Sequence, residues 1–144
     1  GTGRGMLAAM NLGADGVQIG SRFVTSEESS AHQKFKEEVV SSGEGATLLT
    51  LKELTPVRLI RNDFFNLIQK AYQRGDGKEE LKNILGRGRA KKGMFEGDLK
   101  EGELEIGQVS GLIDSIKPAS EILEEIIQEF RQAIKESNSI KFNF

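Results

Sequence analysis

The densest chemistry in the chain lies between Gly13 and Val24, which read GADGVQIGSRFV. Val17, Gln18 and Ile19 make a very short run between Gly16 and Gly20, the pattern of a buried strand in a parallel sheet. The chain then turns at Gly20-Ser21. Glycine permits close backbone approach, and serine is a preferred helix N-cap. A strand that ends in Gly-Ser and opens a short helix presents backbone N–H groups at its mouth. A phosphate can rest there, held by those groups and by the helix dipole. Gly-Ser after a strand is also an ordinary turn, so both readings stand on local chemistry alone. Arg22 has two uses as well: it can neutralise a phosphate or tie neighbouring elements together through a carboxylate.

Other candidates carry less. His32 is the single histidine and sits early in a helix beside this turn, which invites a catalytic role. One histidine and no cysteine argue against a tight zinc site, and no Ser-His-Asp set follows from an isolated histidine. The carboxylates fall on helix faces, where solvated charges belong. Gly1-Thr2-Gly3-Arg4-Gly5 resembles a dinucleotide loop only superficially, because that motif needs a strand before it and an acidic residue about 20 positions later. A βα loop fits better. In Gly86–Gly97 four glycines alternate with Arg87, Arg89, Lys91 and Lys92, a stretch able to contact a polyanion. A solvated basic loop is the plainer reading, since the rest of the chain balances the charge.

The elements that must position these residues are mostly helical. Met6, Leu7 and Met10 mark a helix over 4–12, ended by Gly13 as a C′ glycine. The short strand follows at 16–19, then one helical turn at 21–24. Ser30 is expected to cap a second helix, with Gln33 as its capping-box partner and Ala31, Phe35 and Val39 as its core stripe. Gly43 and Gly45 end it. Residues 47–51 and 57–60 are expected to pair as a hairpin across 52–56. Asn62 is placed to cap a helix over 63–74 that buries Phe64, Leu67, Ile68, Ala71 and Tyr72, with Gly75 as its end. Asp76 and Glu79 open a shorter helix carrying Leu81, Ile84 and Leu85, closed by Gly86. A helix is expected over 105–116 on the stripe Ile106, Val109, Leu112, Ile113, Ile116, where Gly107 and Gly111 allow close approach of a backbone or a ligand. Pro118 stops it. Ile122, Leu123, Ile126, Ile127, Phe130, Ala133 and Ile134 then mark an amphipathic helix over 119–136, and 137–144 is a frayed tail.

Bulk properties narrow the class. The 144 residues suffice for one domain with a core. A net charge of −2 exerts no global pull towards nucleic acid or membrane. The absence of cysteine excludes disulfides and accords with a cytoplasmic location. No apolar run approaches the roughly 20 residues of a membrane span.

The run Gly13-Ala14-Asp15-Gly16-Val17-Gln18-Ile19-Gly20-Ser21-Arg22-Phe23 resembles the last strand and following turn of the nitronate monooxygenase (2-nitropropane dioxygenase) family, FMN-dependent (β/α)8 barrels related to FMN-containing enoyl-ACP reductases. Ser21 stands where the family often has Thr. Gly3-Arg4-Gly5, Ala8-Ala9, Ser26–His32, Pro56-Val57-Arg58 and the Gly107-Gln108 neighbourhood support the likeness, which weakens after Lys117.

A complete barrel needs about 250 residues, so the resemblance implies an α/β fold that is the C-terminal fragment of a TIM barrel. It would be predominantly helical, with one short parallel strand and a short hairpin. On this reading 1–45 are the last part of the FMN-binding barrel, 46–104 an inserted, mostly helical segment with the basic loop, 105–136 the C-terminal helices and 137–144 the tail. Gln18, Ile19, Gly20 and Ser21 would bind the FMN phosphate through their backbone and the Ser21 hydroxyl. A Gly-Gly pair ahead of Gly1 would supply the other half of the cradle. The family's catalytic histidine belongs to an earlier part of the barrel, which leaves His32 structural and no catalytic residue in this chain. Gln108 would line the substrate side of the flavin, and Met94 and Phe95 would anchor loop 86–97 over the barrel mouth.

The implied activity is oxidation of a nitronate or nitroalkane with oxygen. The alternative in the family is reduction of an enoyl thioester with a nicotinamide donor. The alternative of another class is a non-catalytic helical module that binds an acidic partner or RNA through 86–97. Residues 1–144 alone are expected to show little catalysis, to expose the apolar edges of strand 16–19 and to form a homo-oligomer.

Overall fold

In the computed structural model, which describes residues 1–138, internal contacts divide the chain into two units. One is Gly1–Ser29 with the described part of Lys117–Phe144; the other is Ser30–Ile116. The expected tail lies, from residue 139 on, outside the described residues.

The first unit is built on two helices, α1 (Gly3–Asn11) and α6 (Ala119–Ser137). Thr2 caps α1 by accepting the Gly5 N–H at 3.1 Å. Gly13, at φ 98, lets the chain leave the helix while its N–H donates to Met10 O at 3.0 Å, the C′ role expected of it. The two helices meet closest at Gly3, where a Cβ would stand 2.1 Å from Phe130 N and 2.3 Å from Ile126 O. Only glycine fits that crossing, and the Gly3 N–H donates to Glu129 Oε2 at 2.7 Å. The Met6-Leu7-Met10 stripe is covered only in part, with Met10 exposed. In α6 the core face is Ile122, Ile126 and Ala133, whereas Leu123 turns to solvent. A parallel bridge joins Ser26 to Lys117, and the Glu27 N–H donates to Lys117 O at 3.0 Å. Beside it Glu28 Oε2 accepts the Ala119 N–H at 2.8 Å, closing the α6 N-terminus behind Pro118.

Residues 16–19 are not a strand. They enter no ladder among the described residues, and Val17 is exposed. A strand exists by virtue of its partners, since its N–H and C=O groups must be paired, and no described strand flanks this one. Exposure of its apolar edge is as expected.

The second unit holds α3 (Gln33–Ser41), the hairpin β1 (Thr47–Thr50) and β2 (Val57–Ile60), α4 (Asp63–Arg74) and α5 (Lys78–Leu85). The strands pair antiparallel with Thr47 opposite Ile60 and Thr50 opposite Val57. Asn62 caps α4, accepting the Phe65 N–H at 2.9 Å, and Gly75 closes it at φ 77. Leu51, Leu59, Phe64, Phe65, Ile68, Ala71 and Leu81 form the core where the hairpin and these helices meet. Phe65 rather than Leu67 belongs to the buried face, and Leu67 is exposed. Gly77, not Asp76, precedes α5, because Asp76 is engaged by Arg74 at 2.5 Å.

No helix forms over 105–116. Instead this stretch lies along β2: the Ile60 N–H donates to Leu104 O at 3.0 Å, and the Ile106 N–H to Arg58 O at 3.1 Å. Glu105 bridges Leu59 antiparallel. Leu104 and Ile106 are buried on either side of half-buried Glu105, a period of two rather than 3.6. Ile106, Val109, Gly107 and Gly111 are weak helix formers, and the open edge of β2 offers ladder partners that a helix would forgo. The segment ends in a 3₁₀ turn, Gln108–Leu112. The expected C-terminal helices thus reduce to α6.

Stretch 86–97 is also more ordered than a solvated loop. It contains a single π-helical turn, Lys91–Phe95. Met94 is half-buried but Phe95 is exposed, so only the first anchors it.

Candidate cofactor-binding turn

The turn that follows residues 16–19 is the short helix α2, Ser21–Val24. Gly20, not Ser21, takes its N-cap position and contributes no side-chain cap. Its carbonyl accepts the Phe23 N–H at 2.9 Å and the Val24 N–H at 3.2 Å. Ser21 therefore sits one place inside the helix. Val17, Gln18 and Gly20 are exposed, and Ile19 and Ser21 are half-buried. No atom lies within 4 Å of where a Cβ would stand on Gly16 or Gly20. The backbone at this turn can therefore be approached closely, which is what a phosphate held by amides requires.

Arg22 is committed elsewhere. Its Nη2 donates to Glu125 Oε2 at 3.2 Å and its side chain is largely buried. Lys117 joins the same carboxylate, and these two cations, Lys117 foremost, hold Glu125 below the usual carboxylate range. Of the two uses open to Arg22, the carboxylate tie is the one observed.

Gly1 is a contact that sequence reasoning missed. A Cβ there would stand 3.0 Å from Ile19 Cγ2 and 3.1 Å from Arg22 Cβ. The loop that opens α1 thus lies against the Gly20-Ser21 turn. The glycine-rich composition of residues 1–5 was the available signal.

His32 is engaged at a helix terminus. It is the N-cap of α3: its Nδ1 accepts the Lys34 N–H at 3.1 Å, and its own N–H donates to Met94 O at 2.7 Å. Ser30 and Gln33 form no capping box, because His32 already fills the cap position and Gln33 is engaged with Glu37 at 2.9 Å. The imidazole packs on Gly97, where a Cβ would fall 2.4 Å from Nδ1. Gln108 is exposed on the 3₁₀ turn of the second unit, beside Ser110 and Gly111.

The basic residues of 86–97 are largely spoken for. Arg89 donates to the carbonyls of Ile84, Leu85 and Glu101 at 2.8–2.9 Å and stacks 4.6 Å from the centroid of Phe64. Lys91 pairs with Glu96 at 3.3 Å, and Lys92 with Asp98 at 3.0 Å. These bonds knit the stretch to itself and to residues 96–101. Arg87 and Lys91 stay exposed, so these pairs order the stretch without removing its charge from the surface.

Residues 1–129 match the family described as nitronate monooxygenase. A probable nitronate monooxygenase of Staphylococcus saprophyticus is 46% identical over 66 residues, covering 44% of this chain and 18% of that protein. One from Staphylococcus aureus (strain JH9) is 30% identical over 134 residues, 92% of this chain and 37% of that protein. Among solved structures, FabK from Thermotoga maritima superposes with a TM-score of 0.85 at 38% identity, over 94% of this chain and 43% of FabK. Nitroalkane oxidase from Streptomyces ansochromogenes does so with a TM-score of 0.70 at 25% identity, over 95% of this chain and 39% of that enzyme.

The fold is part of a TIM-barrel architecture, helical with a small two-stranded sheet. The chain belongs to the nitronate monooxygenase family. It spans 18% and 37% of the length of these two curated relatives. No helix among the described residues is long and apolar enough to cross a membrane.

Proposed function

We propose that the protein containing this chain is an FMN-dependent nitronate monooxygenase, and that residues 1–45 close its cofactor-binding barrel. Gln18, Ile19, Gly20 and Ser21 would hold the phosphate end. The observation that carries this reading is the family match over residues 1–129, which takes in the glycine-bearing run Gly13–Phe23. Gly20 leaves room for a phosphate oxygen to approach the main chain, and the Ser21 hydroxyl adds a donor. Arg22, paired with Glu125, ties the helical turn to α6. FMN, when bound, would supply the redox chemistry, and these residues would orient it. The substrate is a nitronate or nitroalkane, the electron acceptor is oxygen, and the protein works as a homo-oligomer in the cytoplasm.

The test is the visible spectrum of the intact protein titrated with FMN. Flavin bands should appear, and Gly20→Val should weaken binding about tenfold or more by placing a branched side chain over the open backbone. A protein that gains no bands at saturating FMN overturns the reading. A second activity, enoyl thioester reduction with a nicotinamide donor, is favoured by the higher TM-score with FabK than with nitroalkane oxidase. Oxygen uptake on a nitronate, set against nicotinamide oxidation on an enoyl thioester, separates the two.

A further inference from the structure

Within the second unit, Gly43 to Thr47, Arg58, Gln108, Ser110, Gly111 and Leu112 enclose a cavity of about 350 Å³. That is the size of a small-ligand site. Its walls are two glycine-bearing turns in close contact: a Cβ on Gly111 would stand 3.2 Å from Gly43 O.

The group that calls for explanation is Arg58. It is half-buried on β2, and long cations that leave bulk water ordinarily pair with a carboxylate. Among the described residues Arg58 makes no ion pair. Its only bonds run from Nη1, to Thr47 O at 3.0 Å and to Thr47 Oγ1 at 3.4 Å. Those bonds fix one arm of the guanidinium and leave Nε and Nη2 without a described protein acceptor, and Arg58 lines the cavity. Gln108 adds an exposed amide and Ser110 a buried hydroxyl to the same wall. The one acid there, Glu44, is exposed and makes no ion pair with Arg58. Nearby, Arg61 donates to Gly45 O at 3.3 Å, which adds a second cation beside the 43–47 turn.

We infer that this cavity binds the oxyanion group, phosphate or carboxylate, of a small ligand through Arg58, with Gln108 and Ser110 as additional donors. A guanidinium fork with one arm fixed presents parallel N–H groups, and such a fork takes a two-oxygen acceptor bidentately. The inference rests on residues of the second unit alone.

The test is calorimetric titration of the chain with inorganic phosphate and, separately, with acetate. At least one should bind in the millimolar range or tighter. Arg58→Gln should weaken that binding about tenfold or more, the effect of one lost charge-assisted hydrogen bond. Because Arg58 also braces Thr47, Gln108→Ala is the second variant; its side chain is exposed, so the fold should survive, and binding should weaken about threefold or more. The same titrations on Ser21→Ala separate any anion held at the Gly20-Ser21 turn from anion held at the cavity. Phosphate binding alone assigns the site to a phosphoryl ligand, and acetate binding alone to a carboxylate. No heat from either anion up to about 10 mM overturns the inference. So does binding that Arg58→Gln and Gln108→Ala leave intact, or that Ser21→Ala abolishes.

Discussion

Replacing Glu103 by Gln should change how the stability of the second unit depends on pH. Glu103 follows Gly102 where the chain packs on Gly93, and its N–H donates to Arg89 O at 3.0 Å. The residue is 6% exposed, and no hydrogen bond or ion pair engages its carboxylate among the described residues. Burial, reinforced by Glu105 and opposed by Arg89, pushes it from an ordinary value of 4.5 up to about 7. A pKa that rises on folding means that the native state binds the proton more tightly. Stability is then fully present below pH 4.5 and is lost as pH rises through about 7. At about 1.4 kcal/mol per pKa unit, the full loss is on the order of 3 kcal/mol. Glutamine mimics the neutral acid. Urea denaturation followed by circular dichroism should find the variant and the parent equally stable near pH 4, with the variant more stable by about 2 to 3 kcal/mol near pH 8. Taking the difference between the two proteins cancels the titrating groups that do not interact with Glu103. A gap that is the same at both pH values would refute the assignment of the titration to Glu103.

Two further substitutions test how the second unit is held together. Asn62→Ala removes the α4 cap and the Nδ2 bonds to Leu99 O at 2.9 Å and Gly102 O at 2.8 Å; denaturant unfolding should show a loss of about 2 to 3 kcal/mol, and a change below about 0.5 kcal/mol would contradict the bonding described. Gly97→Ala combines a left-handed backbone at φ 77 with a methyl placed 2.4 Å from the His32 ring. It should lower the thermal midpoint by several degrees, whereas an unchanged midpoint would show that His32 can cap α3 without packing on Gly97.

What the sequence made legible was whatever rested on local periodicity and on residues with one dominant use. α4 carries a polar cap, an apolar face and a closing glycine, and α6 follows a proline with a long 3.6 stripe. Both formed within a residue of expectation. The hairpin was readable from two β-rich runs about a turn apart. Residues 105–116 misled because Ile106, Val109, Leu112 and Ile113 satisfy a helical stripe on paper, while the alternation of Leu104, Glu105 and Ile106 also satisfies a strand. The deciding factor was the unpaired edge of β2, a tertiary fact. Residues 16–19 show the converse: a strand-like run whose local preference goes unused without partners. His32 as a cap was hidden because Ser30 is the commoner capping type. At the candidate site, the Gly20-Ser21 turn was visible in the sequence, but the partner of Arg22 was not, since Glu125 is 103 positions away. Arg58 could be seen only as an odd charge within an apolar strand.

The parallel bridge between Ser26 and Lys117 has an architectural consequence. The backbone leaves the first unit after Ser29 and re-enters it at Lys117, and the bridge holds Ser26 and Lys117 together within that unit. To the α1–α6 pair, the intervening stretch is a loop whose ends are already clamped, and lengthening a closed loop adds little entropy once its ends are fixed. Such an excursion can grow, shrink or be exchanged for another without disturbing the crossing at Gly3.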